Sequence, residues 1–256
     1  MWSMSPGYMV VGSVWPMILS ISVLNLVLTL VSCGLPASVL VGLPLVVLSI
    51  IGWIGDTLFE ASVLGYGGSK DGVSVSFGVL LVIVSEVMLF FGLLWFLLQV
   101  SLEGVVGLGY EWHSGMMSSV DIMEMPLLIS VVLLSSGVSV TWAHSSISCG
   151  DKWGYVVGYF MTVVLGVLFL SIQYFEYGGL GMSIEEGVFP SVFFVLTSLH
   201  GLHVLAGVLM NMLSLWSSLS WGVPVSFMGV EVVMWYWHFI DVVWLVLFIL
   251  LYWFSM

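Results

Sequence analysis

Glu86 stands in the middle of a long apolar stretch: thirteen residues from Val73 to Ser85 precede it without a charge, and sixteen from Val87 to Leu102 follow it. A carboxyl group at bilayer depth is costly unless it faces protein or a water-filled cavity, and such groups commonly line proton or ion routes. Two readings follow. Glu86 is a relay group on a proton or ligand pathway, or it is a carboxyl hydrogen-bonded to a neighbouring helix for packing. His200-Gly201-Leu202-His203 puts two imidazoles on one helical face, with Gly201 expected to admit a neighbouring helix. One helix with two histidines and no carboxylate or cysteine beside them is a weak metal signal. A di-haem bundle would need paired histidines on facing helices, and His113, His144 and His238 do not form such a set. The pair reads as buried polar support, not ligation. His238 and Asp241 are also three apart, inside Trp235-Tyr236-Trp237-His238-Phe239-Ile240-Asp241-Val242-Val243-Trp244. That spacing lets them share a hydrogen bond, as a staple or as half of a relay. The flanking Trp and Tyr suit a membrane-water interface, which favours the staple. Trp53 and Asp56, followed by Glu60, close an apolar run. Tryptophan beside acids at a helix end is ordinarily an interfacial anchor, with a lipid-headgroup site as the sharper alternative.

The elements that hold these groups must be membrane helices. Of 256 residues, 61% are hydrophobic and only 6% are charged, against about 25% in an average soluble domain. Sixteen charged side chains cannot cover a soluble domain of this size, whereas a surface facing lipid is best left apolar. The fourteen acids are set against Lys70 and Lys152, with no arginine, for a net charge of −12. Nucleic acid binding needs clustered bases and is excluded. Cys33 and Cys149 lie far apart without a CxxC spacing and read as packing residues. The start of the chain lacks the basic region of a signal peptide, so no cleaved address is expected.

Apolar windows long enough to span the hydrocarbon, about 20 residues each, number seven: Trp15 to Cys33, Ala37 to Ile54, Val73 to Leu102, Pro126 to Ile147, Trp153 to Phe175, Gly187 to Leu215 and Val230 to Phe254, free of charge but for Glu86 in the third and Glu231 and Asp241 in the last. With seven spans, Lys70 and Lys152 fall on the same side as the N terminus, while Glu103, Glu111, Asp121, Glu124, Glu185 and Glu186 fall on the other. Lys and Arg stay on the cytoplasmic or matrix side, so the N terminus is expected there. No interval is long enough for a second domain. The expectation is an all-α membrane protein forming a single transmembrane domain over residues 1–256.

Four stretches, in order and over nearly the whole length, resemble cytochrome c oxidase subunit three, the seven-helix subunit of haem-copper oxidases encoded in mitochondria. They are Ser85-Glu86-Val87-Met88-Leu89-Phe90-Phe91-Gly92; Pro126-Leu127-Leu128 with Leu133 to His144; His200-Gly201-Leu202-His203-Val204; and Tyr236 to Leu245. The resemblance implies two helices plus five around a lipid-holding cleft, and a subunit that carries no redox centre. Its haem a and copper partners lie in the other core subunits. It implies subunit one as chief partner, then subunit two, accessory subunits, structural phospholipids and a respiratory supercomplex as wider setting, in the mitochondrial inner membrane. Glu86 matches the family's buried carboxylate, discussed as a proton antenna. Trp53 and Glu60 match positions lining the lipid cleft.

Departures from the family concern cations. Arginines of the pattern after Trp53 are replaced by Gly55 and Phe59, and histidines by Tyr66 and Gly67. The loop between helices six and seven, usually basic, reads Trp216 to Pro224 without a charge. Cations are the natural partners of lipid phosphates, so a zwitterionic lipid, or a cation from a neighbouring subunit, is the expected replacement. A stand-alone transporter with a path lined by Glu86 and His203 is the rival reading. The lack of an internal repeat counts against it.

Overall fold

The computed structural model describes residues 13–31, 36–63, 69–103, 124–221 and 227–253, with side chains described within these except at 30–41, 57–75, 102–103 and 220–228. Among the described residues there are seven α-helices and no strand: α1 Trp15–Val31, α2 Pro36–Val63, α3 Ser69–Glu103, α4 Met125–Ser148, α5 Lys152–Gly179, α6 Val188–Trp221 and α7 Phe227–Leu247. A wider π-helical segment, Phe248–Trp253, continues α7. In hydrocarbon each backbone N–H must find its partner within the chain, and an apolar helix is the local solution. Five helices, α3 to α7, are long and apolar enough to cross a membrane; α1 and α2 contribute shorter apolar stretches, Trp15–Thr29 and Gly42–Asp56.

The chain divides into two compact units, Met1–Gly68 and Ser69–Met256. In the first, α1 packs on α2. In the second, α7 packs against α3, α4 and α6, and α5 packs against α4 and α6. Its interior is aromatic and aliphatic: Leu133, Phe169, Phe193, Trp237, Ile240 and Trp244 are wholly buried. Trp237 and Trp244 therefore belong to the helix interior, not to the interfacial belt expected from the sequence. Their indole N–H groups donate to Ser136 Oγ and Ser130 Oγ, each at 3.0 Å. Lipid tails are as apolar as leucine, so close packing and such interhelical hydrogen bonds, at roughly 0.6 kcal/mol each, hold the helices together.

The α4–α5 hairpin shows how small residues set that packing. Gly150, at φ 76°, turns the chain, and Asp151 starts α5 by accepting the Trp153 amide at 3.1 Å. Farther along, a Cβ at Gly158 would lie 2.7 Å from that of Ala143. At the next turn, the Ser139 and Thr162 hydroxyls are 2.7 Å apart. Glycine at 158 admits the opposing backbone, and the hydroxyls satisfy one another inside the seam.

Helix ends differ from the sequence windows. α5 runs on past Phe175 to Gly179, and α6 past Leu215 to Trp221. A charge or a glycine marks where an apolar run ends, whereas a helix continues as long as its polar side chains find partners. Cys149 is exposed at the end of α4, which corrects the packing reading; Cys33 lies outside the described residues.

Candidate functional site

α3 and α6 meet at the acid singled out above. Glu86 Oε2 lies 3.0 Å from His203 Nε2. The other ring nitrogen, Nδ1, is 2.7 Å from the carbonyl of Leu199, one turn earlier on α6. A carbonyl only accepts, so Nδ1 carries a hydrogen and donates it. The contact between Nε2 and the carboxyl group then contains a single proton, on the acid or on the ring. Phe90, one turn beyond Glu86, has its ring centroid 5.2 Å from the imidazole, and Tyr236 and Phe239 of α7 stand at 6.5 and 6.2 Å. The side chain of His203 is 14% exposed and that of Glu86 32%. The ring is enclosed by aromatics, and the acid is the more exposed partner of the two.

His200 and His203 have different partners. His200 is buried and turns inward, with Nε2 3.3 Å from the Ile240 carbonyl of α7. Phe169 and Trp244 pack on its ring, with centroids at 5.5 and 5.1 Å. Among the described residues none packs on Gly201 between the two histidines, where a Cβ would meet nothing within 4 Å, so the close helix approach expected there is not seen. His238 Nδ1 and Asp241 Oδ2 are 3.7 Å apart, beyond a hydrogen bond. The i,i+3 pair is thus an electrostatic contact, looser than the staple the spacing suggested. What positions Asp241 lies across the interface on α4: a Cβ at Gly137 would collide with Asp241 Oδ2. Glycine there opens the seat for a buried carboxyl group.

A family model for cytochrome c oxidase subunit III matches residues 5–256. The chain belongs to this family. Among similar proteins, cytochrome c oxidase subunit 3 of Pisaster ochraceus is 37% identical over 254 residues, covering 98% of each chain. That of Mycosarcoma maydis is 36% identical over 98% of this chain and 95% of its own length. That of Bos mutus grunniens is 35% identical over 97% of both. The family is a subunit of the terminal oxidase, and its fold is the all-helical one described above.

In this chain the first helix pair holds the remaining candidates. Trp15 Nε1 of α1 donates to Asp56 Oδ2 of α2 at 2.6 Å, and the indole ring rests on Gly52, where any Cβ would collide with it. Asp56 is therefore engaged by α1. Trp53, one turn before it, is 39% exposed, as suits an anchor at the membrane surface. The side chain of Glu60 lies outside the described residues. Among the described residues no three His, Cys, Asp or Glu side chains gather as a metal site.

Sequence reasoning missed Glu176. It is 5% exposed near the end of α5, where its Oε1 accepts the Tyr252 hydroxyl at 2.9 Å and its Oε2 the Gln173 amide at 2.7 Å. The apolar window Trp153 to Phe175 ended one residue before it, so it drew no reading. A signal was present in Gln173 and Glu176 at i,i+3. The decisive partner, Tyr252, is remote in sequence and is carried by the π-helical end of α7.

Proposed function

We propose that this chain is the non-redox core subunit III of a proton-pumping cytochrome c oxidase, acting as one transmembrane domain over residues 1–256. It supports assembly, phospholipid retention and proton uptake while electrons pass from cytochrome c to oxygen. The family match over residues 5–256 carries this reading. The haem and copper chemistry belongs to the partner core subunits, with subunit one the chief contact and subunit two and accessory subunits beyond it. The setting is the mitochondrial inner membrane, with the N terminus toward the matrix. The N-terminal ends of α3 and α5, which carry Lys70 and Lys152, support that orientation.

The proton role rests on the bond between Glu86 and His203. A partly exposed carboxyl group joined to an enclosed imidazole suits a site that takes up one proton from water, the pair being neutral overall when that proton is held between them. Trp53, Asp56 and Glu60 are the lipid candidates, with Trp53 at headgroup level. His200, His238 and Asp241 give polar support inside the bundle.

The test follows the native complex. Gentle detergent extraction and native gels should place this chain in a band with haem a absorbance in the reduced-minus-oxidised spectrum and with cytochrome c oxidation. A chain migrating alone, without haem, overturns the assignment and brings the transporter forward.

A further inference from the structure

Glu176 is a buried acid that the proposed function leaves unused, and no cation among the described residues pairs with it. It is 5% exposed in the last turn of α5. Gln173 Nε2 donates to its Oε2 at 2.7 Å, and Tyr252 Oη stands 2.9 Å from its Oε1. Both partners are neutral. The two acid–base pairs among the described residues lie elsewhere, at Glu86 with His203 and at Asp241 with His238. Lys152, the cation on the same helix, stands at its opposite end.

The wider turn that continues α7 is what delivers Tyr252. A π-helix bonds i→i+5 and so turns less per residue than an α-helix, which keeps Tyr252 on the inward face behind Trp244. Tyr252 is wholly buried, with its ring centroid 6.4 Å from Trp244, 5.8 Å from Phe248 and 5.6 Å from Phe193 of α6, while Trp253 beside it is 57% exposed. The same contact joins two helix ends. α5 stops at Gly179 and the π-helical run at Trp253, and the last turn of each presents carbonyl oxygens and the negative end of its dipole. The carboxyl group therefore sits beside two negative helix ends, beneath Tyr252 and its aromatic neighbours.

We propose that Glu176 is a proton-holding site: a neutral carboxylic acid whose Oε1 carries a hydrogen and donates it to Tyr252 Oη. Oε2 is committed to accepting the Gln173 amide, so the acid hydrogen belongs on Oε1, and a phenol oxygen accepts as well as donates. A carboxylate here would draw on two hydrogen bonds from neutral donors. Against it stand the loss of water, the lack of a paired cation among the described residues and two unfavourable helix dipoles. All three act on the charge, and taking up one proton relieves them together while keeping both contacts. The site is separate from the Glu86–His203 pair and goes beyond the function proposed above. It joins α5 to the end of α7, and it holds its proton whether or not Glu86 relays one.

Infrared spectroscopy of the purified membrane complex that contains this chain reads the protonation state directly. The spectrum of the parent minus that of Glu176→Gln, at neutral pH, should show a positive band in the carbonyl-stretching region of protonated carboxylic acids and none in the carboxylate region. Glutamine is neutral and can give an amide hydrogen to Tyr252 while accepting from Gln173, so the variant should assemble with parental heat stability. A carboxylate band, or no acid band, overturns the proposal. Tyr252→Phe tests the partner, and it serves equally if the glutamine variant fails to assemble. Loss of the acceptor should move the acid band to higher frequency. A band that stays in place, or a change confined to the carboxylate region, overturns the pairing of the acid with Tyr252.

Discussion

Between Glu86 and His203 the hydrogen-bond inventory leaves one proton and two nitrogen or oxygen atoms that want it. Glutamine at position 86 keeps the contact, because its amide N–H donates to Nε2, but it carries no proton that can leave. Glu86→Gln should therefore leave assembly and haem content unchanged while slowing proton uptake several-fold, measured as turnover and protons moved per electron across a pH series. Turnover and stoichiometry equal to the parent at every pH would leave Glu86 a packing group. Its isolation was legible in the sequence because apolar surroundings along the chain are a local property. His203 as its partner was not, since α3 and α6 lie 117 residues apart at that contact. Glu176 was less legible still: an acid at the edge of an apolar run looks solvated until Tyr252 is placed over it.

At the level of elements, the α4–α7 interface shows how one absent methyl group positions a charge. Trp237, Asp241 and Trp244 follow one another along one face of α7, and Ser136, Gly137 and Ser130 receive them on α4. Gly137→Ala drives a methyl group into Asp241 Oδ2. Overpacking of this kind costs about 1–3 kcal/mol, so the variant should lower the midpoint at which the subunit dissociates from the complex on heating. Asp241→Ser shortens the opposing side chain, and the double variant should recover much of the loss, a coupling that only contacting residues produce. Losses that simply add would show that Gly137 acts elsewhere. The helices themselves were readable from apolar windows, and all seven are present among the described residues. Their ends were not, because windows record where charge begins, whereas α5 extends over Glu176 by supplying it with Gln173 and Tyr252.

Over the whole molecule, a chain with two cations and fourteen acids has little with which to fix its direction across the membrane, and both cations sit at equivalent places. Lys70 lies in the first turn of α3 and Lys152 opens α5. With α4 between them crossing in the opposite sense, the two starts face the same compartment. Because Lys and Arg resist translocation while acids contribute little, the proposed orientation makes that compartment the one in which the chain is made. The prediction is that an impermeant amine reagent added to intact mitoplasts labels neither lysine, and that the same reagent labels both once the vesicles are opened, read by mass spectrometry of the subunit. Label on either lysine in intact mitoplasts would reverse the orientation. The missing arginines sharpen the test, for no other fixed side-chain cation on this chain competes with these two in setting its direction.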